Sequence, residues 1–370
     1  MTNRGRLVVP VMVFVMLLPA CEFEFRPLAA VGPRAQPERV LAPIQLPLDE
    51  APHRNLSEWW YVTGRLTTDD QREFGFQFVI FQAVRGDGPP AYAAHFAITD
   101  VAGQTMVFDE RATVGPSTGT PESVDLCVDG WSLAMKEGLF EIRADMPGYR
   151  IDLILDPVYP AVEHAGGVLD FGALGWSYYY SYPRMSVSGQ MHDDRGGANV
   201  RGTAWFDHQW GDFISVSSGG WDWMSLRFDD GRDLMLTEIW DDRRQVDLAY
   251  ATLSGAGEPQ HLSAHSFTTI PLGVWTSPRT NTSYPAAWRV VVPMLGLDLD
   301  VMPVFPDQEL DTRRSTGKIY WEGLVNVETQ GQSVGHGYVE LTGYASDPGT
   351  LLAPGELNLG RGCTGSNPVQ

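Results

Sequence analysis

The sequence has few cysteines, few basic residues and few segments with helical periodicity. Only 3 of its 370 residues are cysteines. Once a signal peptide is removed, Cys127 and Cys363 could form a disulfide if the compartment is oxidising. A single bond of this kind cannot replace a core, so the fold must depend on apolar burial. The 46 acidic residues outnumber the 26 basic ones, and no basic patch stands out, which excludes nucleic acid as a partner because its binding rests on phosphate neutralisation.

The chain also lacks a hydrophobic run long enough to span a bilayer. The longest run extends from Leu7 to Ala20, whereas a spanning helix needs about 20 apolar residues. Two arginines precede this run, as in a secretory signal peptide. The run ends in Leu18-Pro19-Ala20-Cys21, which resembles a bacterial lipobox, although an ordinary signal peptide with a chance cysteine is the alternative. We therefore predict lipidation of Cys21 and a lipid-anchored protein of the bacterial cell envelope that faces the periplasm, most simply at the outer membrane.

Common catalytic motifs are missing as well. The Gly175–Tyr179 segment lacks the second glycine of a Gly-x-Ser-x-Gly nucleophile elbow. His261 and His265 are four residues apart but have no glutamate between them, unlike the zinc protease motif. No phosphate-binding loop or dinucleotide fingerprint occurs. The sequence therefore predicts no cofactor and no metal site.

What the sequence does contain is a succession of short segments with two-residue periodicity. Trp59–Leu66 and Phe74–Phe81 form one predicted hairpin, and Trp221–Phe228 and Leu234–Trp240 form another, with an Asp-Gly turn typical of hairpins. Both hairpins begin with tryptophan and turn through aspartates, which suggests two β domains of related design. Further strands are predicted at residues 93–99, 131–135, 139–143, 151–155, 185–189 and 200–206.

These segments predict an all-β protein made of two lipocalin-like antiparallel β-barrel domains, because barrel closure removes exposed strand edges. Helices are expected to be short and peripheral. The predicted organisation is a signal peptide at residues 1–20, a proline-rich tether at 21–50, an N-terminal domain at 51–200, a C-terminal domain at 201–350 and a tail at 351–370. The junction between the two domains is expected near residues 190–215.

Four segments together resemble one family. They are Ser57–Gly64, Tyr178–Ser181, Asp207–Gly211, and the late pair Tyr320–Gly323 with Gly337–Tyr344. Their order and spacing are similar to those of the lipocalin-like family that contains carotenoid 1,2-hydratase, also called hydroxyneurosporene synthase, and the AttH-type predicted secreted hydrolases. The resemblance implies two lipocalin-like barrels with an apolar ligand pocket. It also implies hydration of an isolated alkene as one activity of the fold.

Alkene hydration needs a proton donor, a surface that tolerates a cation, and a placed water. A carboxylic acid serves as donor when an apolar pocket raises its pKa, and aromatic faces stabilise the cation. His208 and Trp210 correspond to the hydratases' His-x-Trp pair, and alternation predicts that both point into a cavity with Asp207 behind them. The alternative is a buried hydrogen-bond network that fixes a domain junction.

The hydratases' second acidic residue has no counterpart by spacing. By spacing, the Tyr-x-Asp pair of the hydratases falls near Met235 and Thr237 of this chain, and neither of these residues can donate that proton. Glu238 is the best substitute acid if it faces inward, and a solvent-facing strand glutamate is the alternative. The predicted catalytic residues are therefore His208, Asp207, Trp210 and Glu238.

Aromatic residues supply the predicted ligand contacts. In the Trp59–Trp60 pair, one tryptophan is expected to close the barrel base and the other to contact ligand. Glu322 and Glu340 are expected to be paired or exposed. The candidate ligand-binding residues are Trp59, Trp60, Tyr61, Tyr179, Trp221 and Trp223.

Three functions remain open from the sequence. The first is a hydro-lyase of the carotenoid 1,2-hydratase type that acts on an apolar isoprenoid, carotenoid or lipid-like molecule. The second is a non-enzymatic carrier of such a molecule, linked to an export system as its partner. The third is a structural envelope protein whose barrels mediate contacts. The predicted partners are thus an apolar small molecule and, through the lipid anchor, the membrane.

Overall fold

The computed structural model describes residues 41–115, 123–172, 175–213 and 219–345. The predicted signal peptide, Cys21, most of the tether and the C-terminal tail lie outside the described residues. Cys127 is disulfide-bonded, and both other cysteines lie outside this described part. In the described ranges, no helix is long and apolar enough to cross a membrane.

The described part consists of β-strands and three short 3-10 helices, at Leu48–Glu50, Ala264–Ser266 and Pro293–Leu295. The prediction of an all-β protein with short, peripheral helices is confirmed. All strand pairs are antiparallel, as expected from hairpin connections of a few residues. The strands form two sheets that curl into barrel-like domains.

The first sheet has eleven strands in the order β4-β3-β2-β1-β11-β10-β8-β7-β6-β5, with β9 paired to β10. It curls until its outer strands β4 and β5 contact each other. The strands are β1 Ser57–Thr68, β2 Glu73–Ala83, β3 Ala91–Asp100, β4 Thr105–Val114, β5 Asp125–Val128, β6 Trp131–Lys136, β7 Leu139–Met146, β8 Tyr149–Pro157, β9 Val162–Asp170, β10 Gly175–Asp193 and β11 Gly196–Phe213.

The second sheet has ten strands in the order β15-β14-β13-β12-β21-β20-β18-β17-β16, with β19 paired to β20. The strands are β12 Gly220–Phe228, β13 Asp233–Trp240, β14 Val246–Ser254, β15 Gln260–Ser263, β16 Thr268–Thr276, β17 Ser283–Val292, β18 Leu297–Pro303, β19 Glu309–Thr312, β20 Lys318–Thr329 and β21 Gln332–Leu341.

The two sheets share one connectivity. In each, a four-strand meander (β1–β4 or β12–β15) pairs through its first strand with the last strand of the same sheet, β11 or β21. In each, one extra strand also joins the penultimate strand. This shared order agrees with the duplication that the two similar hairpins suggest. The first sheet ends at Phe213 and the second begins at Gly220, so the boundary drawn at residue 200 falls within β11.

Alternation along the strands divides the buried residues into three layers. One core fills the first barrel and contains Trp60, Phe78 and Trp131. A second fills the other barrel, with Trp288 and Trp321 among its members. A third layer lies between the two sheets, because strands such as β1 and β12 are apolar on both faces and each face needs cover.

Polar contacts also join the two sheets. Arg184 of β10 donates two hydrogen bonds of 3.0 Å to the buried carboxylate of Asp233 on β13. Arg227 of β12 donates to the backbone carbonyl of Ala204 on β11 at 2.7 Å. Breaking a buried ion pair of this kind is costly, because the remaining charge loses its partner. These contacts therefore fix the two sheets in one relative position, and with them the residues in the layer between.

Candidate functional site

Strand β11 carries the Asp207–Gly211 motif. Successive side chains of this strand point to opposite faces of the sheet, which decides where each residue of the motif lies. His208 and Trp210 point into the first barrel, together with Phe206. Trp205 lies in the layer between the sheets, and Asp207 hydrogen-bonds to it. Register places Trp60 of β1 opposite His208 and Tyr61 opposite Asp207. The motif thus contributes to two separate polar clusters.

The first of these, which we call the histidine cluster, consists of His53, Glu58 and His208. One carboxylate oxygen of Glu58, Oε1, lies 2.7 Å from His53 Nδ1 and 2.9 Å from His208 Nε2. The other oxygen, Oε2, accepts hydrogen bonds of 2.8 Å from the Gln82 amide and from the His53 backbone N–H. Glu58 and His208 are fully buried, whereas His53 keeps 21% of its side chain exposed.

Aromatic rings enclose the histidine cluster. His208 is stacked on Trp60, with ring centroids 4.8 Å apart, and contacts the Trp210 ring at 4.6 Å. His53 is stacked on the Trp210 ring at 4.3 Å. Burial lowers the pKa of His208 to about 4, although Glu58 opposes the change. Burial also lowers the pKa of His53, but the hydrogen bonds and negative charges of Glu58 and Asp49 together outweigh it and leave that pKa above its usual value.

This packing differs from the expectation that His208 and Trp210 border a ligand cavity. Both side chains are almost entirely buried, and His208 contacts the rings of Trp60 and Trp210. Trp60 is also fully buried, and its indole donates to the Glu50 carbonyl of the first 3-10 helix. Trp60 therefore packs in the core at one end of the first barrel and does not reach the layer between the sheets.

The second group, which we call the acid cluster, consists of Asp207, Glu322 and Glu340 between the two sheets. Asp207 accepts hydrogen bonds from the Tyr179 hydroxyl at 2.8 Å, from the Trp205 indole at 2.5 Å and from the Ser181 hydroxyl. Burial raises the pKa of Asp207 to about 7 against the lowering effect of these donors. Asp207 is therefore partly protonated at neutral pH.

Glu322 and Glu340 are cross-strand partners on β20 and β21. Glu322 is buried and accepts a hydrogen bond of 2.7 Å from Tyr61, while its second oxygen has no partner. Burial, and next the charge of Glu340, raises the pKa of Glu322 well above its usual value. Burial raises the pKa of Glu340 to about 7, although a hydrogen bond from Trp221 lowers it. Two adjacent carboxyl groups in an apolar layer cannot both ionise readily.

A chain of hydrogen bonds connects the acid cluster to the surface. The Ser181 hydroxyl that binds Asp207 lies 2.7 Å from His164 Nε2, and His164 Nδ1 lies 3.0 Å from the Thr252 hydroxyl. Thr252 contacts the exposed His261 at 3.2 Å. Each link can both donate and accept a proton. The chain therefore offers a route by which Asp207 can exchange protons with solvent.

The layer around the acid cluster contains five of the six candidate ligand-binding residues. Tyr61, Tyr179 and Trp223 are buried there, and Trp59 and Trp221 are only partly buried. The layer also holds a small crevice of about 20 Å³ that is lined by Trp205, Tyr338 and nine other residues, none of which belongs to the acid cluster. Trp60 is the sixth candidate and lies in the first barrel.

Glu238 belongs to neither cluster. It is partly buried and accepts a hydrogen bond of 2.5 Å from Thr269. Along β13, Leu234 and Leu236 face the core of the second barrel, whereas Met235 packs in the layer between the sheets. Alternation places Glu238 with the leucines, away from Asp207. The two positions that the resemblance assigns to Tyr-x-Asp, Met235 and Thr237, do lie on the inter-sheet side.

The sequence interpretation missed the roles of Glu322 and Glu340. Neither residue is paired with a cation, Glu322 is buried and Glu340 is only partly exposed. A signal was present: both glutamates alternate with buried apolar residues on strands that are apolar on both faces. A charged residue inside such a strand points to a buried polar group and hence to a functional site.

Comparisons with known proteins agree with this architecture. The AttH-like family model matches residues 34–344. The crystal structure of an AttH protein, NE1406 of Nitrosomonas europaea, is 32% identical and has a TM-score of 0.75, with 82% of this chain and 100% of that chain covered. No curated protein matches the sequence.

Two more distant structures share the fold. Kievitone hydratase from Nectria haematococca is 18% identical, with a TM-score of 0.66 over 82% of this chain and 94% of its own. CghA, solved with Sch210972, is 12% identical, with a TM-score of 0.52 over 80% of this chain and 90% of its own. The family match covers both sheets and every strand described above, and the chain belongs to the AttH-like family.

Proposed function

We propose that the protein is a hydro-lyase that adds water to an alkene of a largely apolar, isoprenoid-like substrate at the acid cluster. The observation that carries this proposal is the pair of adjacent carboxyl groups between the two sheets, the buried Glu322 and the partly buried Glu340, both with raised pKa values. A carboxylic acid that stays protonated near neutral pH in an apolar site is the donor that alkene protonation requires. A hydratase among the proteins with this fold supports the same reaction class.

Glu340 is the proton donor in this proposal. It is the member of the Glu322–Glu340 pair that keeps some exposure, and Trp221 beside it is also partly exposed. Glu340 gives its proton to one alkene carbon and leaves a cation on the other, which the faces of Trp221 and Trp223 stabilise. Water then forms the new C–O bond, and its released proton returns to the Glu340 carboxylate. The reaction consumes one alkene and one water and leaves the acid cluster unchanged.

The direct test is turnover of an acyclic carotenoid such as lycopene or neurosporene, followed as a mass gain of one water. General acid catalysis contributes about 100- to 10,000-fold to a rate, so Glu340→Gln should lower kcat by that factor while substrate binding persists. Glu238→Gln is the matched control, because Glu238 also has a raised pKa but lies outside the acid cluster. Wild-type turnover by Glu340→Gln would contradict the assignment.

The same experiment separates an enzyme from a carrier. A carrier would retain the pigment without converting it, and Glu340→Gln would then change only affinity. The absence of an acid at Met235 and Thr237 favours the carrier, whereas the acid cluster favours the enzyme. Retention without conversion across several apolar alkenes would overturn the hydro-lyase proposal.

We further propose that acylation of Cys21 anchors the protein to the envelope membrane, where an apolar substrate is concentrated. The support is the short apolar run that ends in Leu18-Pro19-Ala20-Cys21. Radiolabelled palmitate should be incorporated into the wild-type protein in cells and not into Cys21→Ser. Equal labelling of both proteins would contradict the anchor.

A further inference from the structure

The histidine cluster has the composition and arrangement of a metal site. Within residues 41–115, 123–172, 175–213 and 219–345, His53, Glu58 and His208 form a group whose ligand atoms all lie within 4.8 Å of one another. Two imidazoles and one carboxylate with an open fourth position are a ligand set of catalytic zinc sites. We propose that His53 Nδ1, Glu58 Oε1 and His208 Nε2 bind a divalent transition-metal ion of the Zn²⁺ type.

The distances suit the insertion of an ion. Both imidazole nitrogens approach the same oxygen, Glu58 Oε1, at 2.7 and 2.9 Å. Bonds of about 2.1 Å to a tetrahedral ion set ligand atoms roughly 3.4 Å apart. These two contacts therefore need to lengthen by about 0.5 to 0.7 Å for an ion to fit between the three atoms.

Neighbouring groups hold each ligand in the orientation a metal requires. Gln82 and the His53 backbone N–H bind Glu58 Oε2, which leaves Oε1 for the ion. The Tyr180 hydroxyl lies 3.1 Å from His208 Nδ1 and donates its own proton to Glu50. Tyr180 can then only accept from His208, which suits an imidazole that keeps its hydrogen on Nδ1 while Nε2 gives up its own hydrogen to bind the ion. A second hydrogen-bonded partner of this type is the usual support of a metal-bound histidine.

The ion also has a route of entry. His53 lies on the segment that precedes β1, and 21% of its side chain is exposed, while the other two ligands are sealed in the barrel. His53 thus closes the site from the solvent side. This inference does not rest on the proposed function, because the acid cluster lies on the opposite face of β11.

The test is stoichiometric binding of Zn²⁺ alone by protein that has been stripped with a chelator and freed of any affinity tag. Calorimetry and elemental analysis should give one tightly bound ion per chain, and Co²⁺ should give the intense visible absorption of a four-coordinate site. Glu58→Gln and His53→Ala should each weaken binding by more than about 100-fold, and Tyr180→Phe by about 10- to 100-fold. His265→Ala removes an exposed histidine of the 3-10 helix Ala264–Ser266 and should change nothing.

Two results would overturn the site. One is wild-type protein that takes up no Zn²⁺, and the other is uptake that His53→Ala leaves unchanged. If Glu58→Gln fails to fold, His53→Ala still decides the matter because His53 is partly exposed and its loss leaves the barrel closed. The readout is binding rather than turnover, so failure here and failure of the hydro-lyase proposal are distinguishable.

Discussion

His208 and Asp207 are neighbours in the chain but belong to two regions of opposite character. His208 lies inside the first barrel, where Glu58 binds two histidines and has four hydrogen-bonded contacts. Asp207 lies between the sheets among carboxyl groups whose pKa values are raised and which no cation pairs with in the described structure. One region satisfies its polar groups fully, and the other leaves Glu322 with an unpartnered oxygen.

This difference shows what each region can do. A saturated network stabilises one geometry and suits a structural role or a bound ion. Carboxyl groups that lack hydrogen-bond partners and have raised pKa values keep their protons near neutral pH, and such groups can act as proton donors. The second sheet offers a further contrast, because β21 holds the place of β11 in the topology but carries no Asp-His pair. The two barrels share a topology and differ in chemistry.

Glu58→Ala should have the largest effect on stability. Removing this carboxylate leaves Gln82, His53 and His208 without their partner in a buried site, and loss of one partner from such a network costs about 3–5 kcal/mol. Glu322→Gln should stay within about 1 kcal/mol of wild type, because a neutral amide replaces an acid that is itself neutral. Urea denaturation measures both. Equal destabilisation by the two substitutions would erase the contrast between the clusters.

The second-largest expected effect is a change in stability with pH that is caused by the acid cluster. Folded Glu340 has a pKa of about 7, and its usual value is 4.5. Between these values the folded state binds more protons than the unfolded chain, so the contribution of Glu340 is complete below pH 4.5 and is lost as pH rises through 7. Glu340→Gln removes this loss, and its stability relative to wild type should rise by about 3 kcal/mol from pH 4.5 to 8.

Denaturation curves at several pH values, with Glu238→Gln as control, measure this change. A flat difference between Glu340→Gln and wild type would mean that Glu340 is an ordinary exposed carboxylate. Buried histidines such as His164, whose pKa burial lowers to about 3, act in the opposite direction and destabilise both proteins equally at low pH. The comparison of variant with wild type cancels that contribution.

Tyr61→Phe should have a smaller effect. The substitution removes the hydroxyl that donates to Glu322 at 2.7 Å and leaves a buried acceptor unpaired. The expected cost is about 1–2 kcal/mol. It should also shift the protonation of Glu322 further toward the neutral acid, since the hydrogen bond from Tyr61 lowers that pKa. Thermal melting at pH 6 and pH 8 checks both points. The same loss of stability at both pH values would show that Tyr61 does not affect the protonation of Glu322.

Glu238→Gln should have the smallest effect of all. Glu238 is partly buried and makes one side-chain contact, to Thr269, so a neutral amide should change stability by about 0.5 kcal/mol or less. Turnover and Zn²⁺ binding should both be unchanged. A loss of turnover would return Glu238 to the position of proton donor that the sequence suggested.

Much of the fold could be predicted because it follows local patterns. The alternation in Trp59–Leu66 and the Asp-Gly turn after Phe228 specify strands and hairpins from neighbouring residues alone. That His208 and Trp210 share a face follows from the same rule. The repeated Trp-led hairpins also indicated two sheets of one design.

The sites depended on pairings that no local pattern encodes. Which face of β11 points into the barrel is fixed by its register against β1 and β10. His53 reaches Glu58 from a segment without periodicity. Glu322 and Glu340 meet only because β20 pairs with β21 in one register, and Asp207 approaches them only because the two sheets pack together. Long-range pairing therefore assembled the acid cluster from three strands.

The protonation state of the acid cluster tests this account most directly. Carbon-13 NMR of protein labelled at the glutamate carboxyl carbons can follow each signal from pH 4 to 9, with Glu322→Gln and Glu340→Gln used to assign the pair. We expect the Glu322 and Glu340 signals to remain in the protonated form at pH 6 while the exposed glutamates are ionised, and we expect each substitution to remove its own signal. Glu50, whose pKa burial also raises to about 7, should give a further protonated signal that neither substitution removes. If the Glu322 and Glu340 signals were both ionised by pH 6, the layer between the sheets would hold no proton donor.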